Sequence, residues 1–119
     1  MKNIDVSIII VNYNTCNMTK ECIDSIFKKT LGVSFEVILV DNASTDGSKE
    51  FFERDERINY IYNNENVGFG RANNIGVEVA NGRNILFLNS DTILLNDAIS
   101  LMSMYLDENG DVGCVGGNL

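Results

Sequence analysis

The feature that most constrains the fold is a repeated change of hydrophobic period along the chain, from short apolar runs to helical stripes. The runs are nearly continuous and rich in β-branched residues, which is typical of strands covered on both faces. Between them, apolar residues recur every three or four positions, as on one face of a helix. This alternation predicts an α/β fold with a mostly parallel sheet and helices on both faces. Strands are predicted at 6–11, 35–40, 58–62, 85–88 and 112–115, and helices at 18–27, 49–54, 72–80 and 98–106.

The absence of histidine from the 119 residues restricts the chemistry that the chain can perform. It excludes Ser-His-Asp and Cys-His catalytic sets, zinc sites that use histidine, and the commonest general base. The length suffices for one domain with a single core. Any chemistry must therefore use carboxylates, backbone amides, a cation or a partner outside this sequence.

The charge pattern argues against a nucleic-acid partner. The formal net charge is −8 and the basic residues are scattered, whereas nucleic-acid surfaces need grouped Lys and Arg. No apolar run is long enough for a membrane span, and no signal peptide opens the sequence. The three cysteines are an odd set, which favours a reducing compartment. We therefore predict a cytoplasmic protein.

Polar residues follow each of the first four predicted strands. In parallel α/β sheets the carboxyl ends of the strands lie at one edge, where ligands bind. Asn and Asp are also common in tight turns, so each strand end alone has a turn explanation. Four polar ends on one edge favour a ligand cleft. These ends are residues 12–15, 41–42, 63–66 and 89–91.

The common phosphate-binding motifs are absent. No G-x-G-x-x-G follows the first strand and no G-x-x-x-x-G-K-[ST] occurs, which excludes a dinucleotide-binding fingerprint and a P-loop. The paired acids that a receiver domain needs after its first strand are replaced by Asn12, Tyr13 and Asn14.

Four segments resemble the successive signatures of a family 2 glycosyltransferase with a GT-A fold. They are VSIIIVNYN, VDNASTDGS, NVGFGRANNIG and LFLNSDTIL, in matching order and spacing over nearly the whole chain. They are most similar to the rhamnosyltransferase-like branch that builds bacterial cell-surface polysaccharides. Members of the family normally continue well beyond this length. The resemblance therefore implies a Rossmann-like GT-A nucleotide-diphospho-sugar transferase fold truncated at the C-terminus, with residues 1–119 forming one domain, the donor-binding half of a longer enzyme.

The resemblance assigns the nucleobase to the ends of the first two strands. The loop of Asn12, Tyr13 and Asn14 would cup the base, and Asp41 matches the acid that hydrogen-bonds the base edge. A carboxylate suits the N3–H of a pyrimidine because it only accepts hydrogen bonds. The alternative for Asp41 is a turn cap through Asn42 and Ser44.

The same resemblance places the nucleotide and its diphosphate beside the Gly-rich run of residues 68–76, where Arg71 brings a positive charge. Asn89, Ser90 and Asp91 align with the Asp-x-Asp motif, with Asn89 in place of the first acid. Asn89 and Ser90 would face the donor, and Asp91 would bind a divalent cation, Mg²⁺ or Mn²⁺. For Asp91 a simple turn stays open, and for Gly76 we favour close packing over a ligand role.

By resemblance, the enzyme inverts the anomeric configuration and transfers a sugar from a UDP- or dTDP-linked donor to a glycan or lipid-linked acceptor. The full-length chain would act in the cytoplasm or at the inner face of the membrane. The catalytic base is expected beyond Leu119, so residues 1–119 are predicted to bind donor and metal but to be inactive alone. Two alternatives stay open. One is a non-catalytic sugar-nucleotide-binding module, and the other is a nucleotidyltransferase, which would normally carry a Gly-rich basic loop after its first strand.

Overall fold

The structure is a computed structural model that describes residues 3–110 and Gly113. Strands and helices alternate through this part of the chain, as the hydrophobic pattern predicts. The predicted strand at 112–115 lies outside the described residues apart from Gly113. The elements are β1 (Ile4–Asn12), α1 (Cys16–Lys29), β2 (Phe35–Asp41), α2 (Ser48–Phe52), β3 (Ile58–Tyr62), α3 (Phe69–Val79), β4 (Gly82–Leu88) and α4 (Ala98–Glu108).

The four strands form one sheet in the order β3-β2-β1-β4, and every pairing is parallel. β1 lies inside the sheet, with β2 on one side and β4 on the other. The register sets Asn12 opposite Asp41, and Asp41 opposite Tyr62. The carboxyl ends of these strands therefore meet at one edge, and the predicted α/β class is confirmed.

Helices cover both faces of the sheet. Successive side chains of β1 point to opposite faces, and apolar side chains on both faces have to be buried. Ile8 and Ile10 belong to a core that includes Ile26 of α1, Phe52 of α2 and Ile99 of α4. On the opposite face, Ile9 packs with Ile38, Val40 and Ala72 of α3. Three helices thus pack on one face and α3 packs on the other.

Close contact between α3 and the sheet depends on Gly76. A Cβ atom at this position would lie 2.6 Å from Cγ2 of Ile9, well inside van der Waals contact. The prediction that Gly76 serves close packing is confirmed. Gly70, six residues earlier on the same helix, faces open space, so only one of the two positions requires glycine.

One carboxylate, that of Asp46, caps two helices. It accepts hydrogen bonds from the backbone N–H of Cys16, at 3.0 Å, and from that of Ser48, at 3.1 Å. These residues begin α1 and α2. Desolvation raises the pKa of Asp46, but hydrogen bonds from Ser48 and Cys16 outweigh it and hold the pKa below its ordinary value.

Within residues 3–110, none of the helices combines the length and the apolar character that crossing a lipid bilayer requires.

Candidate functional site

An open cleft of about 450 Å³ lies at the carboxyl edge of the sheet. The ends of β1, β2 and β4 and the start of α3 form its walls, as expected for a parallel α/β sheet. A second hollow, between β4 and α4, is apolar and has only about 40 Å³, which is too little for a nucleotide. The lining residues of the larger cleft are Val11, Tyr13, Thr15, Asn42, Asn66, Gly68, Phe69, Asn89, Ser90 and Asp91.

Asn12, which was predicted to contact the donor, is fully buried behind the cleft. Its amide nitrogen donates to Oγ of Ser44 at 3.1 Å. Its amide oxygen accepts from the hydroxyls of Thr15 and Thr19 at 2.9 and 2.8 Å. The side chain therefore joins the loops after β1 and β2 to the first turns of α1, and its donor contact stays a prediction.

Asp41, predicted to bind the base edge, is also fully buried. One carboxylate oxygen accepts from the backbone N–H of Ser44 at 3.1 Å, as a turn cap does. The other accepts from the hydroxyl of Tyr60 at 2.5 Å. Burial, together with the hydrogen bond to Asp41, raises the pKa of Tyr60, so the phenol stays protonated and donates. The structure does not bring Asp41 to the cleft surface.

The next residue, Asn42, lines the cleft instead, although only 3% of its surface is exposed. Its amide oxygen accepts from Nδ2 of Asn63 at 2.9 Å. Its amide nitrogen donates to the carbonyl of Gly68 at 3.2 Å. Asn42 therefore connects the ends of β2 and β3 to the start of α3.

Tyr13 and Asn14 follow β1, but they face different surroundings. Tyr13 lines the cleft, and half of its surface is exposed. Asn14 has a φ of 52°, in the left-handed region that Asn tolerates better than most residues. Its side chain accepts from the backbone N–H of Thr45, and its own N–H donates to Ser44, both at 2.8 Å. Asn14 thus holds the β2 loop beside the cleft.

The start of α3 supplies an aromatic ring and a positive charge. Gly68 has a φ of 88°, which glycine adopts without strain. Phe69 lines the cleft with 57% of its surface exposed. Arg71 lies in the first turn of α3, where it is exposed and outside the cleft lining. It forms no salt bridge with any residue in the described range.

The end of β4 brings Asn89, Ser90 and Asp91 together on the cleft wall, as the sequence predicts. Asp91 and Asn89 are exposed. Oγ of Ser90 lies 3.5 Å from the hydroxyl of Thr15, which connects this wall to the loop after β1.

The donor set at this wall limits how a cation could bind. Among residues 3–110 and Gly113, no three Asp, Glu, Cys or His side chains form a group that could hold a metal. Asp91 supplies one carboxylate, and Asn89 and Ser90 supply neutral oxygens. Mg²⁺ and related hard cations commonly take one or two carboxylates, with substrate phosphates and water completing the shell. The residues present therefore fit a cation that binds together with a diphosphate.

Besides Val11, four residues of the cleft lining were not identified as ligand contacts from the sequence. Thr15, Asn42 and Asn66 lie in the predicted polar strand ends, where a polar residue type already pointed to the cleft. Asn66 lies in the loop after β3, and Phe69 lies in the Gly-rich run. All four are polar or aromatic groups at the edge where a ligand was predicted.

Sequence comparison matches the chain to one family model and to named relatives. The family model described as Glycosyl transferase family 2 matches residues 7–118. Glycosyltransferase GlyG of Streptococcus pneumoniae is 33% identical over 117 residues, covering 95% of this chain and 38% of the relative. A Bacillus subtilis glycosyltransferase named for teichuronic acid biosynthesis, TuaG, is 36% identical over 90 residues, covering 72% of this chain and 35% of the relative.

Two solved structures share the fold. S. aureus TarS 1–349 in complex with UDP-GlcNAc matches with a TM-score of 0.75 and 26% identity, over 89% of this chain and 32% of that one. The mannosyltransferase PcManGT of Pyrobaculum calidifontis, in complex with GDP-Man and Mn²⁺, matches with a TM-score of 0.78 and 23% identity, over 89% of this chain and 33% of that one.

The coverage of these matches is unequal. The chain spans between 14% and 39% of the length of the curated relatives that it matches. The family model, in contrast, matches nearly all of this chain. The four-stranded parallel sheet agrees with the glycosyltransferase fold of the two solved structures. The chain belongs to glycosyltransferase family 2.

Proposed function

We propose that residues 1–119 form one domain, the nucleotide-sugar-binding part of an inverting glycosyltransferase that acts in cell-surface polysaccharide synthesis. The observation that carries this proposal is the open cleft at the carboxyl edge of the sheet, with Tyr13 and Asn42 on one side and Asp91 on the other. The UDP-GlcNAc complex of TarS and the name of TuaG support the donor class and the product class. The family match argues against a nucleotidyltransferase.

The two sides of the cleft suit different parts of a nucleotide diphosphate. The half-exposed ring of Tyr13 offers a flat apolar surface on which a nucleobase can stack. Asn42 offers an amide beside it. The start of α3 lies next to Asn42, because the Asn42 amide donates to the Gly68 carbonyl at 3.2 Å. Its backbone N–H groups and the exposed guanidinium of Arg71 attract phosphate oxygens. The base would lie on the β1 and β2 side, and the diphosphate between the start of α3 and Asp91 at the end of β4.

Asp91 would hold Mg²⁺ or Mn²⁺, with Asn89 and Ser90 facing the ribose or the phosphates. When bound, such a cation offsets the negative charge that develops on the leaving diphosphate. The chain's own contribution is to orient the donor: Tyr13 would stack on the base, Arg71 would attract the phosphate oxygens, and Asp91 would hold the cation. We place the acceptor, a glycan or a lipid-linked glycan, and the catalytic base outside residues 1–119, and the full-length enzyme in the cytoplasm or at the inner face of the membrane.

Donor and metal binding can be tested by isothermal titration of the 119-residue chain with UDP, dTDP and GDP, with and without Mn²⁺ or Mg²⁺. We expect at least one nucleotide to bind, and to bind more tightly with the cation. Asp91→Ala should remove this enhancement, because it removes the carboxylate at the cleft wall. Glu78→Gln, an exposed acid of α3, should retain it. If no nucleotide binds at millimolar concentration, the donor-site proposal is wrong.

Because we place the catalytic base and the acceptor outside residues 1–119, we predict different activities for this chain and for a longer one. A missing general base alone lowers a rate by roughly 10²–10⁴-fold, and the absence of an acceptor site lowers it further. We therefore expect no sugar transfer by residues 1–119, and transfer by a chain that continues beyond Leu119. Transfer by the short chain above a no-enzyme control would contradict the placement of the base. A longer chain that binds donor but never transfers would instead indicate a sugar-nucleotide-binding module.

A further inference from the structure

We propose that Ser25 and Cys22 of α1 are positioning residues that hold the loop carrying Asp91, and thereby set the affinity of the cleft for a divalent cation. The inference rests on the proposed cation role of Asp91 and goes beyond it. It assigns a role to two buried side chains that are not part of the cleft lining.

The loop of residues 89–93 connects two buried leucines. Leu88, the last residue of β4, and Leu94 are 7% and 3% exposed, and both belong to the core that includes Cys22 of α1. Between them, Asp91 is exposed. The loop therefore leaves the core after Leu88 and returns to it at Leu94, with Asp91 at its midpoint.

Ser25 fixes the returning end of this loop. Its hydroxyl donates to the carbonyl of Cys22, three residues earlier on α1, at 2.7 Å, and its oxygen remains available as an acceptor. That oxygen accepts from the backbone N–H of Leu94 at 3.0 Å. Because Ser25 is buried, water competes poorly for this bond. The end of the loop is thus tied to one side chain of α1.

Cys22 holds the departing end of the loop. Its thiol is fully buried and donates to the carbonyl of Asn89, with the sulfur 3.7 Å from the oxygen. The same carbonyl accepts from the N–H of Thr92 at 3.1 Å, which closes a turn with Asp91 in one of its two central positions. Cys22 therefore contacts the turn at the group that closes it. A thiol is a weak donor, so we expect a smaller contribution from Cys22 than from Ser25.

The two contacts bear on the position of the Asp91 carboxylate. Because Asp91 is exposed, packing does not fix its side chain, and its position depends on the backbone that carries it. A cation that shares one protein carboxylate with a diphosphate needs that carboxylate at a defined place. Without the bonds from α1 the loop has more freedom, and part of the cation affinity is lost in ordering it.

The test is titration of the 119-residue chain with UDP and GDP, with and without Mn²⁺. The quantity of interest is the cation enhancement, the ratio of the Kd without Mn²⁺ to the Kd with it. Ser25→Ala leaves the N–H of Leu94 buried without a partner, so we expect the enhancement to fall by a factor of about three to ten. The Kd without Mn²⁺ should change by less than about twofold. Ser25→Thr, which keeps the hydroxyl, should restore the enhancement.

The pair Cys22→Ala and Cys22→Ser applies the same test at the other end of the loop. The alanine variant lacks a donor to Asn89 and should lower the enhancement by about twofold. The serine variant keeps a donor and should retain it. Ile38→Val is the control for stability, because it removes a buried methyl group on the opposite face of the sheet. This control should show the full enhancement.

Two further measurements separate positioning from a general structural loss. In an Asp91→Ala background, Ser25→Ala should not change the cation dependence, because the carboxylate that it positions is gone. In ¹H–¹⁵N spectra, Ser25→Ala should speed the hydrogen exchange of the Thr92 and Leu94 amides, while β1 amides stay protected.

The outcomes distinguish this inference from the proposal on which it rests. A Ser25→Ala chain with the full enhancement would overturn the inference. So would binding that is weakened equally with and without Mn²⁺, because it would indicate a general loss of the donor site. A wild-type chain that binds nucleotides equally well with and without Mn²⁺ would instead overturn the proposed cation site.

Discussion

The two halves of the cleft edge contain the same types of polar residue, which are buried in one half and exposed in the other. We call the ends of β1 and β2, with Asn12, Asp41 and Ser44, the bonded half. There the side chains are buried and hydrogen-bonded to one another. We call the end of β4, with Asn89 and Asp91, together with the start of α3, the open half. There the side chains are exposed.

The contrast shows what each half contributes. A fully satisfied buried polar network is rigid and specifies one arrangement of its loops. Exposed groups that lack protein partners can exchange water for a ligand at little cost to the fold. The bonded half therefore supports the cleft, whereas the open half offers its polar groups to a ligand. The following predictions, in order of decreasing effect, test this contrast.

The largest effect should come from removing one carboxylate from each half in turn. Asp41→Ala leaves the Tyr60 hydroxyl and the Ser44 N–H buried without a partner, so we expect a loss of about 2–4 kcal/mol in the free energy of unfolding. Asp91→Ala should change it by less than about 0.5 kcal/mol, because Asp91 is exposed. Urea unfolding measures both. Equal losses for the two variants would remove the distinction between the halves.

A smaller effect is expected where α3, which supplies part of the open half, packs on the sheet. At Gly76 a methyl group would collide with Ile9, so Gly76→Ala should cost about 1–3 kcal/mol. Gly70→Ala on the same helix faces open space, and should be neutral or stabilising by up to about 1 kcal/mol. Thermal unfolding of the pair measures the difference. A Gly76→Ala protein as stable as Gly70→Ala would mean that α3 does not dock as closely as described.

The smallest effect is a pH dependence at Asp46, beside the bonded half. Its pKa is lower in the folded chain than the value of about 3.9 in the unfolded chain. Its stabilisation is therefore fully present above the unfolded pKa and is lost as the pH falls through the folded pKa. Asp46→Asn should reduce stability at pH 6, and the difference from wild type should shrink towards pH 3. Glu50→Gln, an exposed acid of α2, should show no such trend. A difference independent of pH would exclude the carboxylate charge as the cause.

Most of the fold could be predicted from hydrophobic period. The first four predicted strands lie within or coincide with β1 to β4, with the largest difference at β4, which begins at Gly82 rather than at 85. The residues between, Gly82, Arg83 and Asn84, are not an apolar run, yet Gly82 and Asn84 pair with Ile4 and Val6 of β1. Among residues 3–110, β4 is the last strand on its side of the sheet, and an edge strand can include polar and charged residues.

The site could be predicted only to the level of strand ends. Tyr13, Asn89, Ser90 and Asp91 lie at the cleft as expected, whereas Asp41 is fully buried and Asn42, itself only 3% exposed, lines the cleft in its place. Sequence pattern shows where a strand ends, but not which of two successive polar residues points into the cleft. The place of Phe69 in the cleft lining could not be predicted for a similar reason. Its spacing of three from Ala72 is that of the apolar stripe, yet its ring is exposed.

The position of β1 between β2 and β4 has a consequence for the order in which the chain folds during synthesis. The partners of Val6 are Phe35 and Asn84, so one neighbour of β1 emerges from the ribosome long before the other. Contacts between distant residues form late because of their loop-closure cost. We therefore expect the bonded half to assemble once β3 has emerged. The other side of β1 stays unpaired until β4 has been synthesised, and only then can the open half form.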